Sequence, residues 1–178
     1  DIHARDHAVR GRMAVSRAGH IVALDFDDVT GIGPYSMYPR TSAIEANQVL
    51  NLTGAPYVVP NYRATSKVVF QNKTLMCQYR AVGHPIAMAI CDGLLEEAAA
   101  AIGMDPVEIR RRNLMRDDSY PRTSASGMKL DDLSHQKALE KLVEMMDYAR
   151  LRENQARLRQ QGIHRGIGFV SMVEVTNP

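Results

Sequence analysis

The sequence predicts an α+β fold of mixed α/β layers, in which an N-terminal β-hairpin leads into a sheet packed with amphipathic helices. Three observations predict it. Residues 1–72 are mainly β in pattern, residues 84–161 are mainly helical, and residues 165–177 read as a strand again. No internal repeat or low-complexity tract interrupts that order.

Across residues 8–30, Val9, Met13 and Val15 precede a turn at Arg17–His20, after which Val22, Leu24 and Phe26 alternate with Ala23, Asp25 and Asp27. That period of two belongs to a half-buried hairpin, with Gly19 supplying the turn and Gly31, Gly33 and Pro34 ending the second strand. Residues 41–53 place Ala43, Ile44, Ala46, Val49 and Leu50 behind a capping Thr41 or Ser42, a short helix closed by Gly54 and Pro56. Tyr57–Arg63 and Thr65–Gln71 are extended, with Pro60 holding the first at an edge or bulge, and Asn72–Lys73 turn the chain.

From Pro85 to Ile102 the apolar residues Ile86, Ile90, Leu94, Ala98 and Ile102 recur every fourth position, which predicts a buried helix about 27 Å long. Pro85 suits its first position and Gly103 stops it. Asp105–Glu108 then joins a capping residue, a proline and an acid, the opening of a new helix whose last turn carries Arg110, Arg111 and Arg112. Residues 117–131 form a loop. Leu139, Leu142, Val143 and Met146 mark a third amphipathic helix, joined to a charged one from about 149 to Gly162. The last strand, Gly166–Thr176, stops as it forms and no Met precedes Asp1, so residues 1–178 read as a single fragment of a larger subunit.

Composition narrows the function. With 45% hydrophobic and 24% charged residues the chain is neither disordered nor membrane-spanning, and no apolar run reaches the roughly 18–20 residues of a membrane helix. A net charge of +2 is too small to argue for nucleic acid or a membrane surface. Two cysteines, Cys77 and Cys91, cannot build a disulfide framework or a four-ligand metal site; with no signal peptide visible, the expected setting is reducing and cytoplasmic.

Most side chains capable of chemistry have a plainer reading. His3 and His7 have the spacing of a zinc-protease helix, but Ala4 stands where the acid would, and they read as polar residues on the approach to a hairpin. His20, His135 and His164 read as solvated, Cys91 as a small core residue, and Cys77 as an ordinary thiol near a loop. Ser124, Ser126 and Arg110–Arg112 read as solvated surface, since no Gly-rich loop or His/Asp partner accompanies them. The stretch Gln78–Pro85 differs, because it brings Arg80 and small residues to the mouth of the long helix, where backbone N–H groups and a guanidinium can cradle an anion; a plain strand-to-helix connection fits as well.

Several motifs in order resemble the molybdenum-cofactor-binding large subunit of the xanthine oxidase, carbon monoxide dehydrogenase and aldehyde oxidase family of molybdenum hydroxylases. His3–His7 resembles the segment that opens the family's hairpin, Ala18-Gly-His-Ile-Val-Ala-Leu24 its strand turn, and Gly31-Ile-Gly-Pro-Tyr35 the follow-on. Tyr57-Val-Val-Pro-Asn-Tyr-Arg63 is similar to Y-x-I-P-N-x-R, and Tyr79-Arg-Ala-Val-Gly-His-Pro85 to [FY]-R-G-x-G-x-P. Gly103-Met-Asp-Pro-Val-Glu-Ile-Arg-Arg-Arg-Asn-Leu114 is similar to G-[ML]-D-P-x-E-[LF]-R-R-[RK]-N. Gly166–Phe169 with Glu174–Thr176 resembles the approach to the next cofactor loop.

The resemblance implies an oxidoreductase that hydroxylates an aldehyde or an N-heterocycle with oxygen from water. It implies a molybdenum–pterin, in the cytosine dinucleotide form, with [2Fe-2S] and FAD groups on partner subunits or domains. Arg80 would contact the molybdenum end of the cofactor, with the backbone of Ala81 and Gly83 beside it, while Val82 and Gln48 would fall at substrate positions. No metal ligand and no catalytic residue is expected here; the general-base Glu lies outside the chain, Glu174 is no substitute, and residues 1–178 alone are expected to be inactive. Departures carry information too. Ala81 replaces the common Gly and is not the Cys of copper-type carbon monoxide dehydrogenases. Val82 removes a stacking Phe of purine oxidisers, and Gln48 stands where their substrate-binding Arg falls, which argues against xanthine. The alternative reading is a non-catalytic scaffold or assembly module that kept the fold and lost the cofactor.

Overall fold

The computed structural model describes residues 3–36, 41–76 and 79–174. The predicted hairpin forms from β1 (His7–Val15) and β2 (Ile21–Gly31), paired antiparallel with His7 opposite Thr30. The register slips between Ala14 and Val15, so that Ile21 turns into the core while Val22 stays 46% exposed, against the alternation expected of it. Leu24 and Phe26 do point inward, and Asp28 and Thr30 continue the same buried face.

Helix α1 (Ile44–Leu52) links β2 to β3 (Tyr62–Val69), which runs parallel to β2 and completes a sheet of order β1-β2-β3. The single strand at Tyr62–Val69 replaces the later part of the two extended segments, and Tyr57 forms only an isolated bridge to Leu114. Neither Thr41 nor Ser42 caps α1. Ala43 occupies that position without a side-chain bond, because the first turn is closed by backbone (the Ile44 N–H on the Thr41 carbonyl, 3.1 Å).

Helix α2 (His84–Ile102) lies across the hairpin, with Ile90 and α1's Val49 packed on Phe26. It approaches closely because β1 offers no side chain at Gly11, where a Cβ would sit 3.2 Å from Leu94 Cδ1. Both α1 and α2 therefore cover one face of the sheet. The other stays polar, with Asp25 bonded to Arg12 and Arg63, each at 2.7 Å.

Gly103 ends α2 in the left-handed conformation, and Asp105 caps α3 (Pro106–Asn113) by accepting the Val107 and Glu108 N–H groups, as the sequence pattern requires. The 117–131 segment is more ordered than a loop. It holds a 3₁₀ turn at Asp117–Ser119 and a ladder of β4 (Arg122–Thr123) with β5 (Lys129–Leu130). Helices α4 (His135–Met145) and α5 (Tyr148–Gln160) follow, but α4 buries only Leu139 and leaves Leu142 41% exposed.

The expected last strand is absent over residues 165–174, and the remainder lies outside the described residues. The segment is held by side chains instead of a ladder. Phe169 is buried in the main core with Leu95, Ile109 and Leu139, edge-on to Tyr148 at 5.3 Å. Among the described residues, no helix is long and apolar enough to cross a membrane.

Candidate cofactor-binding site

The turn from Arg80 to Gly83 enters α2 at the end where α1 meets it, and its backbone is unusual. Ala81 has φ +62° and Val82 φ +44°, two consecutive side-chain-bearing residues in the left-handed region. A β-branched residue is a poor fit there, and such conformations persist where the surroundings over-determine them. Here the constraint is Gly83. A Cβ on it would lie 2.5 Å from the Glu45 carbonyl oxygen and 2.7 Å from Gln48 Cβ, so the turn is seated directly on α1. Gln48 completes the contact, its Oε1 accepting the Gly83 N–H at 3.0 Å. The Ala81 carbonyl accepts the His84 N–H at 2.9 Å and lies 2.7 Å from His84 Nδ1.

The structure thus brings together every residue that the sequence singled out: Arg80, Ala81, Val82, Gly83 and Gln48. Two details differ from a simple anion cradle. The Gly83 N–H already serves Gln48, so this glycine acts as a point of close approach. Arg80 is exposed, and its carbonyl accepts a bond from the Arg5 guanidinium. Arg5 Nε, nearby and buried, has no hydrogen-bond partner. The exposed Arg80, the small side chains after it and the unpartnered Arg5 Nε suit an anionic group. A surface cavity of about 680 Å³, lined by Arg12, Asp25 and Arg63 among others, contains no residue of the turn.

Beneath the turn lies a polar cluster that the sequence did not reveal. His7 is no solvated residue on the approach to the hairpin; it is the first residue of β1, with its side chain 1% exposed. Its Nδ1 is 3.0 Å from Asp28 and its Nε2 3.0 Å from Glu45, while Thr30 and Ser66 donate to Asp28. Burial by itself would lower the His7 pKa, but hydrogen bonds to the two carboxylates outweigh it and raise it to about 9. Asp28 pays for burial too, yet the bonds from His7 and Thr30 hold its carboxyl below the usual range. The signal was present. Asp28 continues the inward period of Leu24 and Phe26, and a buried acid needs a partner.

Arg110 is the second correction. It is fully buried, not solvated, with Asp92 at 3.0 Å, Glu96 at 2.9 Å, and the Pro106 and Phe169 carbonyls each at 2.8 Å. Tyr57 donates to the same Asp92 oxygen at 2.8 Å. Asn113 is buried as well, accepting the Ile21 N–H and donating to the Gly19 and Ile109 carbonyls. Ser124 is also buried and bonds Ser126 at 2.8 Å within its own loop. His135 starts α4 and reaches the Met172 carbonyl at 2.9 Å, while Cys91 is a core thiol whose pKa burial drives up. Cys77 lies outside the described residues. Glu174 stands 4.0 Å from His84 Nε2. Among the described residues, no group of His, Cys, Asp and Glu side chains is placed to hold a metal ion.

The described residues thus place a three-stranded mixed sheet under two helices, with the constrained Arg80–Gly83 turn where the helices meet. The fold matches quinoline 2-oxidoreductase from Pseudomonas putida 86 with a TM-score of 0.81 and 27% identity, over 90% of this chain and 20% of that one. Residues 1–114 match the molybdopterin cofactor-binding domain family, and the chain belongs to it. The nicotine 6-hydroxylase large subunit of Paenarthrobacter nicotinovorans is 29% identical over 174 residues, 97% of this chain and 21% of the relative. The carbon monoxide dehydrogenase large chain of Hydrogenophaga pseudoflava is 26% identical over 97% of this chain and 22% of its own length. The chain therefore spans about a fifth of the curated relatives it matches.

Proposed function

We propose that this chain is the part of a molybdenum hydroxylase large subunit that grips the metal end of a molybdenum–pterin. The observation that carries the reading is the Arg80–Gly83 turn, two side-chain-bearing residues at positive φ locked onto α1 through Gly83 and Gln48. When bound, the cofactor supplies two-electron oxidation of an electron-poor carbon with oxygen from water. The chain's own part is positional and electrostatic. Arg80 offers a guanidinium to the anionic metal end, and Ala81 and Gly83 keep side chains out of the way of the cofactor plane. Val82 and Gln48 would fall on the substrate side, where Val82 would give a small apolar wall without an aromatic surface and Gln48 an uncharged group in place of a cation that would favour an oxidised purine.

An N-heterocycle is favoured over an aldehyde as substrate, in keeping with the nicotine- and quinoline-named relatives. The pterin is proposed in its cytosine dinucleotide form, and the electrons are proposed to leave through [2Fe-2S] and FAD groups on partner subunits in the cytoplasm. The general-base Glu would come from another part of the large subunit, so residues 1–178 alone would not turn over. Metal analysis of the full-length subunit tests the assignment. About one molybdenum per chain is expected, falling at least tenfold in Arg80→Ala. A metal-free full-length protein would instead support the scaffold or assembly module.

A further inference from the structure

Residues 3–7 form a strap along the segment that leads into the cofactor turn, and nearly every residue in it makes a contact. His3 bridges Met76, and its N–H donates to the Leu75 carbonyl at 3.3 Å. Arg5 donates through its guanidinium to the Arg80 carbonyl. Asp6 pairs with Lys73, and its carbonyl accepts the Gly31 N–H at 2.9 Å. His7 then closes the strap by spanning Asp28 of β2 and Glu45 of α1, at 3.0 Å each. Glu45 lies in the first turn of α1, and its carbonyl is the atom nearest the position a Cβ of Gly83 would take. One end of the cofactor turn thus hangs from Arg5, and the other rests on the helix turn that His7 holds. Arg5 reaches its place with φ +67°, a left-handed bend that is unfavourable in a side-chain-bearing residue.

We propose that Arg5 and His7 are positioning residues for the Arg80–Gly83 turn: together they fix it against α1, so that Arg80 and the small residues after it are presented in one geometry. That the turn grips a pterin rests on the function proposed above; that the strap sets its geometry does not. Contact with a cofactor is not required of either residue.

The test uses the full-length large subunit in its complex, with Arg5→Met, Arg5→Lys and His7→Gln beside Arg17→Met, an exposed control in the hairpin turn. Amide hydrogen exchange of residues 79–84 should quicken about tenfold in R5M and H7Q. The buried amides of 90–99 should keep their wild-type rate, and R5K should recover most of the protection. Molybdenum retention on prolonged dialysis should fall about tenfold in R5M and return in R5K. Unchanged exchange at 79–84 overturns the proposal. So does acceleration that spreads equally through 90–99, which would mark a general loss of stability. Wild-type molybdenum retention in an R5M whose turn has loosened overturns the link to the cofactor. If the wild-type complex carries no molybdenum, the proposed function falls, and the exchange result still decides the role of the strap.

Discussion

Ala81 pays for its backbone conformation without any compensating turn hydrogen bond of its own side chain, at φ +62°. Glycine adopts that conformation freely, and the family pattern has glycine at this place. Ala81→Gly is therefore expected to stabilise the fold by about 0.5–1 kcal/mol, the steric relief exceeding the extra freedom of the unfolded chain. Urea melts would check it, and a loss of stability would show that the Ala81 methyl packs productively. His7 makes a prediction of a different kind. Its folded pKa of about 9 lies above its ordinary value of 6.5, so its contribution is complete below about pH 6.5 and vanishes as pH rises through 9. Asp28 and Asp6, both held below the usual carboxylate range, stay ionised across that window. Stability should thus fall by about 3 kcal/mol between roughly pH 6.5 and 9.5 in the wild type and stay level in His7→Gln. A level wild-type profile would mean that the imidazole is neutral throughout.

At the scale of elements, α3 is tied to α2 and to the 163–174 segment by Arg110. Removing it leaves Asp92 buried with Tyr57 as a neutral donor, and burial already pushes that carboxyl up. Arg110→Met is expected to cost about 3–5 kcal/mol, and Asp92→Asn with Arg110→Met less than the sum of the two single changes. Additive losses in a double-mutant cycle would show that the two residues act separately. The caps of this region were largely legible: Gly103 and Asp105 behave as their local chemistry dictates, and Pro85 falls one residue inside the helix, which His84 opens. Arg110 was not, because three consecutive arginines look like a solvated end of a helix. Helical spacing held the clue. Val107, Arg110 and Asn113 are three apart and share the buried face, which explains why the R-R-[RK]-N motif ends in an asparagine that clamps the hairpin turn.

At the scale of the molecule, the hairpin and the long helix were readable from period and punctuation, whereas the parallel pairing of β3 with β2 was not. Pairing depends on where α1 returns the chain, and local pattern carries no trace of it. The last segment misled for the opposite reason. Its β-rich composition reflects a need for burial, which Phe169 meets without a strand partner. The candidate turn was found through its sequence motif; its backbone strain and the buried His7 cluster came only with three dimensions. Among the described residues the outer strands β1 and β3 each pair on one side only, and Phe70 and Tyr79 are 68% and 74% exposed. Residues 1–178 expressed alone are thus expected to aggregate and to unfold over a broad range, and Phe70→Lys to improve their solubility. A sharp, concentration-independent thermal transition of a monomer would contradict this.

The Gln48 amide oxygen, spent on the Gly83 backbone, has a consequence for how such a domain can change its diet. A guanidinium at position 48 has no oxygen to offer, so Gln48→Arg would strip the Gly83 peptide of its acceptor. On the substrate role proposed for Gln48, specificity and loop architecture would be coupled through one atom, and an exchange at that position would call for a new acceptor at the mouth of α2.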